Sequence, residues 1–247
     1  MTALPAAQEL ALLRQQHEAL LRAIAHDLPA PLRHIQSFAP LLQEAVQTLA
    51  AAAPQAQEAA ADALEFAQFM QQGAQRMGQM VQALAELSRA ARTGLTLQAV
   101  DAVALVRQLL TPLLQQYPQA QVELPEQPVW LLADSQSLTQ VLQHLLANAC
   151  KFSAPRPVLR LQAQQTADNR WRLSLQDNGV GFEPAQAGQL FQPFARLHRE
   201  SQFPGLGCGL ALVQVLAMRH GAQASITAQP GQGCMVYLDW PGQNQTE

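Results

Sequence analysis

Apolar positions along the first third of the chain keep a helical period. Leu21, Leu28, Ile35, Leu42 and Leu49 recur every seventh residue, with Ile24, Leu32, Ala39 and Val46 on the same side, from Gln8 to about Ala53. Pro54 breaks the run, and a second follows from about Glu58 to Ala91, with Ala67, Met70, Ala74, Met77, Val81 and Leu84 at 3–4 spacing. Two long amphipathic helices joined by a short turn predict a helical hairpin. Such a hairpin buries one seam, and pairing of two copies into a dimeric four-helix bundle covers the rest. Phe66, Phe69, Met77 and Met80 read as core packing.

The helical pattern stops at Thr93-Gly94, and a fresh unit begins near Leu97. Asp101 is placed to cap a helix through Tyr117, whose apolar face is Val103, Leu105, Val106, Leu109, Leu110 and Leu113. Prolines punctuate two short strands, Gln121–Leu124 and Val129–Ala133. A helix from Ser137 to Ser153 turns Leu138, Val141, Leu142, Leu145 and Leu146 inward and carries His144, Asn148 and Lys151 as a polar stripe. Val158–Gln164 and Trp171–Gln176 alternate as a hairpin through Thr166-Ala167-Asp168-Asn169. A polar stretch, Ala195–Pro204, precedes a glycine-rich helix start that runs to His220. Gly221 is a plausible helix end, and strands Ala224–Ala228 and Cys234–Trp240 flank Pro230-Gly231-Gln232-Gly233. After Trp240 a frayed tail is expected. The order predicts an α+β chain in two domains: a helical hairpin over 8–92 and an α/β sandwich over 97–241, with helices on one face of a mixed sheet.

The 247 residues are 49% hydrophobic and 13% charged, which argues against disorder over most of the length. A net charge of -3 gives no electrostatic case for nucleic acid or an anionic membrane. Cys150, Cys208 and Cys234 are sparse, odd in number and without metal-ligand spacing, as in a reducing compartment; small buried filler suits them better than a redox role. Met1–Pro5 lacks the pattern of a signal peptide, and the Ala-rich run at 49–53 is too short to span a bilayer, so a cytoplasmic protein with no membrane span is expected.

Three motifs stand in order. Asn148-Ala149-Cys150-Lys151-Phe152-Ser153 ends one helix, Asp177-Asn178-Gly179-Val180-Gly181-Phe182 follows a strand, and Gly205-Leu206-Gly207-Cys208-Gly209-Leu210-Ala211 opens the last helix. Glycines straight after a strand allow a tight turn and a close approach of backbone to ligand, though Asp, Asn and Gly also crowd ordinary turns. Glycines at a helix start leave N–H groups free for an anion. Upstream, His26-Asp27-Leu28-Pro29-Ala30-Pro31-Leu32-Arg33 places an exposed histidine before two prolines, either a helix end and restart or a hinge beside a reactive side chain.

The three motifs resemble the N, G1 and G2 boxes of the histidine-kinase ATP-binding domain, of the GHKL type, and Leu190–Phe194 resembles its F box. The His26 stretch resembles the H box of sensor histidine kinases, in particular the phytochrome-like subset. The resemblance implies ATP and Mg²⁺ as cofactors. Asn148 corresponds to the Mg²⁺ ligand, Lys151 to a catalytic phosphate contact, and Phe152 to a side chain near the adenine. Asp177 corresponds to the acceptor for the adenine amine, with Gly179 and Gly181 passing under the base. Gly205, Gly207, Gly209 and Leu210 fall in the phosphate loop. Arg196, or alternatively Arg199, would reach the γ-phosphate; either is equally a solvated lid charge.

On the same resemblance His26 is the phosphoacceptor, and Asp27 holds its Nδ1–H so that Nε2 faces phosphorus. The implied function is autophosphorylation of His26 from MgATP, followed by transfer to an aspartate of a response-regulator receiver. The implied partners are a second copy of the chain, as a homodimer, and a separate or upstream sensor, since no input domain is recognisable before Gln8.

Two positions depart from the pattern. His144 stands where the family places its first asparagine, and Ala30 where other families carry Thr or Asn, so phosphatase activity is not expected. Two alternatives remain: a degenerate transmitter acting as a dimeric scaffold or phosphotransfer module, and a GHKL-type ATPase. The second would require a glutamate at His144.

Overall fold

The computed structural model describes residues 24, 28–53, 57–166, 169–199 and 201–242. They form two compact units that divide between Arg89 and Ala90. In the first, helix α1 (Pro29–Ala52) is followed by α2 (Gln57–Ala90). Pro29 and Pro31 fall in the first turn of α1, where a missing N–H loses no intrahelical bond. The Leu28 N–H donates to Ile24 O at 3.2 Å and the Leu32 N–H to Leu28 O at 3.3 Å. The described helix runs from Pro29, and the Leu28–Ile24 bond is itself an i to i−4 contact. His26 and Asp27, Pro54, and the expected helix before Ile24 lie outside the described residues, as does the Met1–Pro5 stretch.

The seam between α1 and α2 is narrow. Leu32 and Ala39 on one helix and Ala67, Ala74 and Val81 on the other are buried. Leu32, Ala74 and Val81 form one apolar cluster, and Gln36 Nε2 donates across the seam to Ala74 O at 3.4 Å. Two expectations are corrected here. Leu28, Ile35, Leu42 and Leu49 do not fill the seam; Leu49 is 68% exposed and the other three at least 37%. Phe66, Phe69 and Met77 are not core packing within the chain but exposed at 64%, 60% and 47%. The reason is angular. At about 100° per residue, Phe66, Met70 and Met77 lie roughly 60–100° round α2 from Ala67, on a neighbouring stripe. Small alanines at the contact let the two backbones approach.

The second unit begins with β1 (Gln98–Asp101), α3 (Ala102–Gln116), β2 (Gln121–Glu123), β3 (Trp130–Ala133) and α4 (Ser135–Ser153). It continues with β4 (Val158–Thr166), β5 (Arg170–Asp177), a 3₁₀ turn (Pro184–Gln189), α5 (Gly209–Arg219), β6 (Gln223–Ala228) and β7 (Cys234–Pro241). The five-stranded sheet runs β2-β4-β5-β7-β6, parallel only between β2 and β4. β1 and β3 make a separate antiparallel pair rather than joining a single mixed sheet. On one face Leu161, Leu173, Leu175, Val236 and Leu238 meet Val106 of α3 and Leu142, Leu145 and Leu146 of α4. This is the strict alternation of the strands turned into a core.

Two aspartates start the helices. Asp101 Oδ1 accepts from the Val103 N–H at 3.0 Å and the Val129 N–H at 3.2 Å. Asp134 Oδ1 accepts from the Ser137 N–H at 2.9 Å, two residues earlier than the expected start at Ser137. Of the tail expected to fray after Trp240, residues 241 and 242 are tied down, and 243–247 lie outside the described residues. Pro241 pairs with Arg170, and the Gly242 N–H donates to Asn169 O at 2.8 Å. Trp240 is wholly buried, its indole N–H donating to Leu132 O at 3.1 Å, with the His220 ring 4.8 Å away.

Candidate nucleotide site

β5 delivers Asp177 to the edge of the core, 7% exposed. Its Oδ1 accepts from the Gly179 N–H at 2.8 Å, the Cys234 N–H at 3.1 Å and, at 3.4 Å, the Ser153 hydroxyl. Burial raises the carboxyl above its ordinary range, against the pull of these donors. The turn after it needs glycine. Gly181 has φ +61°, and a Cβ there would run into the Gln229 carbonyl; a Cβ on Gly179 would lie 2.7 Å from Phe152 O. The Val180 N–H donates to Phe152 O at 3.2 Å, and the Gly231 N–H to Val180 O at 2.8 Å. Thus the turn is laced to the end of α4 on one side and to the β6–β7 turn on the other.

Two thiols flank the carboxylate. Burial first, and the Asp177 charge second, push Cys150 up to about 11 and Cys234 up to about 12. Both are inert thiols at neutral pH, as the filler reading expects.

The second half of the site is glycine and charge. Gly205 and Gly207 have φ +135° and +80°, and a Cβ on Gly207 would lie 2.5 Å from Ala195 O. A Cβ on Gly205 would be 3.7 Å from Lys151 Nζ. One on Gly209, the first residue of α5, would sit 3.2 Å from His144 Nδ1 and 3.9 Å from Asn148 Nδ2. His144 and Asn148, one helical turn apart on α4, therefore converge on the start of α5, and Leu210 falls in that first turn. Burial, and next the nearby Arg196 charge, lower the Lys151 pKa. Its ammonium rests 4.3 Å from the centroid of the Phe152 ring. Arg196 points inward along its own loop, donating from Nη1 to Gly205 O at 2.5 Å and from Nη2 to Phe203 O at 2.9 Å.

The structure thus gathers two sets of expected residues. Asp177, Gly179, Gly181 and Phe152 form one, and Asn148, Lys151, Arg196, Gly205, Gly207 and Gly209 the other, joined through the adjacent Lys151 and Phe152. His26 and Asp27 are outside the described residues. Sequence reasoning missed Ser153 and Cys234 as donors to Asp177, and Gly233, where a Cβ would collide with the Asp177 carbonyl. The only signal for Gly233 was the Gly-Gln-Gly turn, which reads equally as a hairpin. His198 and Phe203, packed on Phe152, were also missed.

The arrangement fits a nucleoside polyphosphate. A buried carboxylate beside a side-chain-free turn suits a base that carries an exocyclic amine. A glycine loop at a helix start, faced by two cations, suits phosphates. Among the described residues no three His, Cys, Asp or Glu gather to hold a metal. The Asn148 amide, a neutral oxygen donor beside the start of α5, would suit Mg²⁺.

Comparison with known proteins agrees with this geometry. Residues 133–244 match the family described as histidine kinase-, DNA gyrase B- and HSP90-like ATPase. The chain is 28% identical over 219 residues to cyanobacterial phytochrome A of Nostoc, covering 88% of this chain and 27% of that protein. It is 29% identical over 240 residues to the sensor protein KdpD of Escherichia coli, covering 94% and 25%. The chain thus spans about a quarter of the length of these two relatives. Among solved structures it resembles full-length ShkA in complex with AMPPNP, with a TM-score of 0.61 at 22% identity, over 93% of this chain and 47% of that one. It also resembles the mycobacterial sensor histidine kinase MprB, with a TM-score of 0.54 at 24% identity, over 60% and 99%. No described helix is long and apolar enough to cross a membrane.

Proposed function

Residues 133–244 belong to the histidine kinase-, DNA gyrase B- and HSP90-like ATPase family, and the chain is built as a histidine-kinase transmitter, a helical hairpin followed by that ATP-binding domain; from this we propose that it is an active protein-histidine kinase. The observation that carries the reading is the union of Asp177, its glycine turn and the Lys151–Gly205–Gly209 cradle in one unit of the fold.

In this reading Asp177 accepts from the adenine amine, and Gly179 and Gly181 keep the backbone clear of the base. Lys151 and the glycine loop bind the phosphates. Asn148 holds Mg²⁺, which supplies charge neutralisation at the transferring phosphate when bound. His26 accepts the phosphoryl group: its Nε2 lone pair forms the N–P bond as the bond to the leaving ADP oxygen breaks, and Asp27 steadies the Nδ1–H. Catalysis of this kind is positioning and charge stabilisation. The domains are proposed as 8–92 and 97–241. Phosphohistidine then passes to an aspartate of a receiver domain, under control of a sensor.

Leu28 with the exposed stripe of α1 (Ile35, Phe38, Leu42, Leu49) and that of α2 (Phe66, Met70, Met77) supply apolar surface for a homodimer. His144 beside Gly209 favours one second reading, a scaffold or phosphotransfer module that binds nucleotide weakly.

Incubation with γ-labelled MgATP tests the proposal. Acid-labile, alkali-stable label that disappears in His26→Gln and in Asn148→Ala supports it. A wild-type protein that binds ATP and takes up no label overturns it in favour of the scaffold.

A further inference from the structure

The two cations that face the glycine loop both have internal partners. Lys151 lies over the Phe152 ring, and the guanidinium of Arg196 closes the loop from Arg196 to Gly205 on itself through the Phe203 and Gly205 carbonyls. The same loop sets two rings against Phe152. Phe203 lies 4.9 Å and His198 5.8 Å from it, centroid to centroid, and the two are 5.2 Å from each other. All three pairs are tilted, the arrangement aromatic quadrupoles favour. Phe152, His198 and Phe203 are each partly buried by this packing. Gly207 then fastens the loop's far end, where a Cβ would press on Ala195 O and on Arg196 Cγ at 3.0 Å.

We propose that Phe203 and His198 are affinity-determining residues of the nucleotide site, forming with Phe152 an aromatic latch that competes with nucleotide binding. The inference rests on the reading of Phe152 and Lys151 as nucleotide contacts. A polyphosphate draws Lys151 off the Phe152 ring and Arg196 off its two carbonyls. A base approaching Phe152 meets the ring faces that Phe203 and His198 now pack against. Binding therefore has to break the latch. Each ring contact removed lowers that cost by the strength of an aromatic pair, which corresponds to about 2- to 10-fold in affinity. A lid whose aromatics instead packed onto bound nucleotide would respond in the opposite direction.

The test is a titration of a fluorescent ATP analogue with Mg²⁺ into the full chain and its Phe203→Ala and His198→Ala variants. Asp177→Asn serves as a site control, and folding is checked by circular dichroism. Amide hydrogen exchange over the loop from Arg196 to Gly205 is followed in parallel. The latch predicts tighter binding and faster association in both variants, with faster exchange across the loop before nucleotide is added. Unchanged or weaker binding in folded variants, with Asp177→Asn still impaired, overturns the latch and leaves the site reading intact. Wild-type binding that is absent, or indifferent to Asp177→Asn, overturns the site reading and the latch together.

Discussion

Replacing Asp177 by asparagine should move stability and nucleotide affinity in opposite directions. The carboxylate is nearly buried, and its Oδ1 is fixed by the Gly179 and Cys234 N–H groups and the Ser153 hydroxyl. An asparagine keeps all three bonds by placing its amide oxygen at the same point. That forces its NH₂ into the position of Oδ2, where a donor faces the exocyclic amine of an adenine, itself a donor. The loss is one hydrogen bond to a charged acceptor, about 1.5–3 kcal/mol, or roughly 10- to 150-fold in affinity.

Stability responds otherwise. Burial raises the Asp177 pKa in the folded chain, so the folded state holds its proton to higher pH than the unfolded one. The stability this carries is complete below the unfolded pKa and is lost as pH rises through the folded one. Above its raised folded pKa the carboxyl is a buried charge, and asparagine removes it. Calorimetric titration with an ATP analogue, paired with urea unfolding across a pH series that spans the folded pKa, reads both quantities. Wild-type affinity in the variant refutes the assignment of Asp177 to the base. A large loss of stability refutes the claim that one oxygen carries its structural role.

Other outcomes follow from particular contacts. Gly181→Ala should destabilise the second unit by more than the 1–2 kcal/mol or so that a left-handed backbone costs an L-residue, because its Cβ also meets the Gln229 carbonyl; urea unfolding measures this. His220 donates from Nδ1 to Leu216 O at 2.7 Å and accepts the Asp134 N–H on Nε2 at 3.1 Å, and burial holds its pKa below 6.5. Its contribution to stability should therefore be complete above about pH 6.5 and decline as pH falls below it. An NMR titration of the ring alongside unfolding midpoints checks the sign. Phe66→Asp with Met77→Asp should weaken self-association by roughly tenfold or more for each lost apolar contact, read by sedimentation velocity, with helicity retained because neither side chain enters the seam.

Long-period features were legible in the chain, and contacts between distant segments were not. Helices α1 to α5 announce themselves through periodicity and caps such as Asp101, whose side chain takes the Val103 N–H. β1 did not, since Gln98-Ala99-Val100-Asp101 has neither alternation nor length and exists by pairing with β3. In the hairpin, one broad apolar stripe served two purposes. The alanines at 67 and 74 fill the seam while Phe66 and Met77 stand outside it, and angular position round α2 rather than hydrophobicity divides them. At the site the glycines and Asp177 were visible as motifs. Ser153, Gly233 and the Cys234 N–H join Asp177 only through the meeting of α4, β5 and β7, which no local pattern records. Arg196 was visible as a charge, but its fold-back onto Phe203 and Gly205 depends on the path of the loop.

In the proposed function, the buried-aspartate site of the second unit serves His26, three residues before Pro29. Mass spectrometry of the intact chain after incubation with MgATP, with fragmentation that preserves phosphoramidates, tests it most directly when run beside Asn148→Ala. Phosphate is expected on His26 in the wild type and none in the variant. An unmodified His26 in protein that binds ATP, or phosphate confined to another residue, would contradict it.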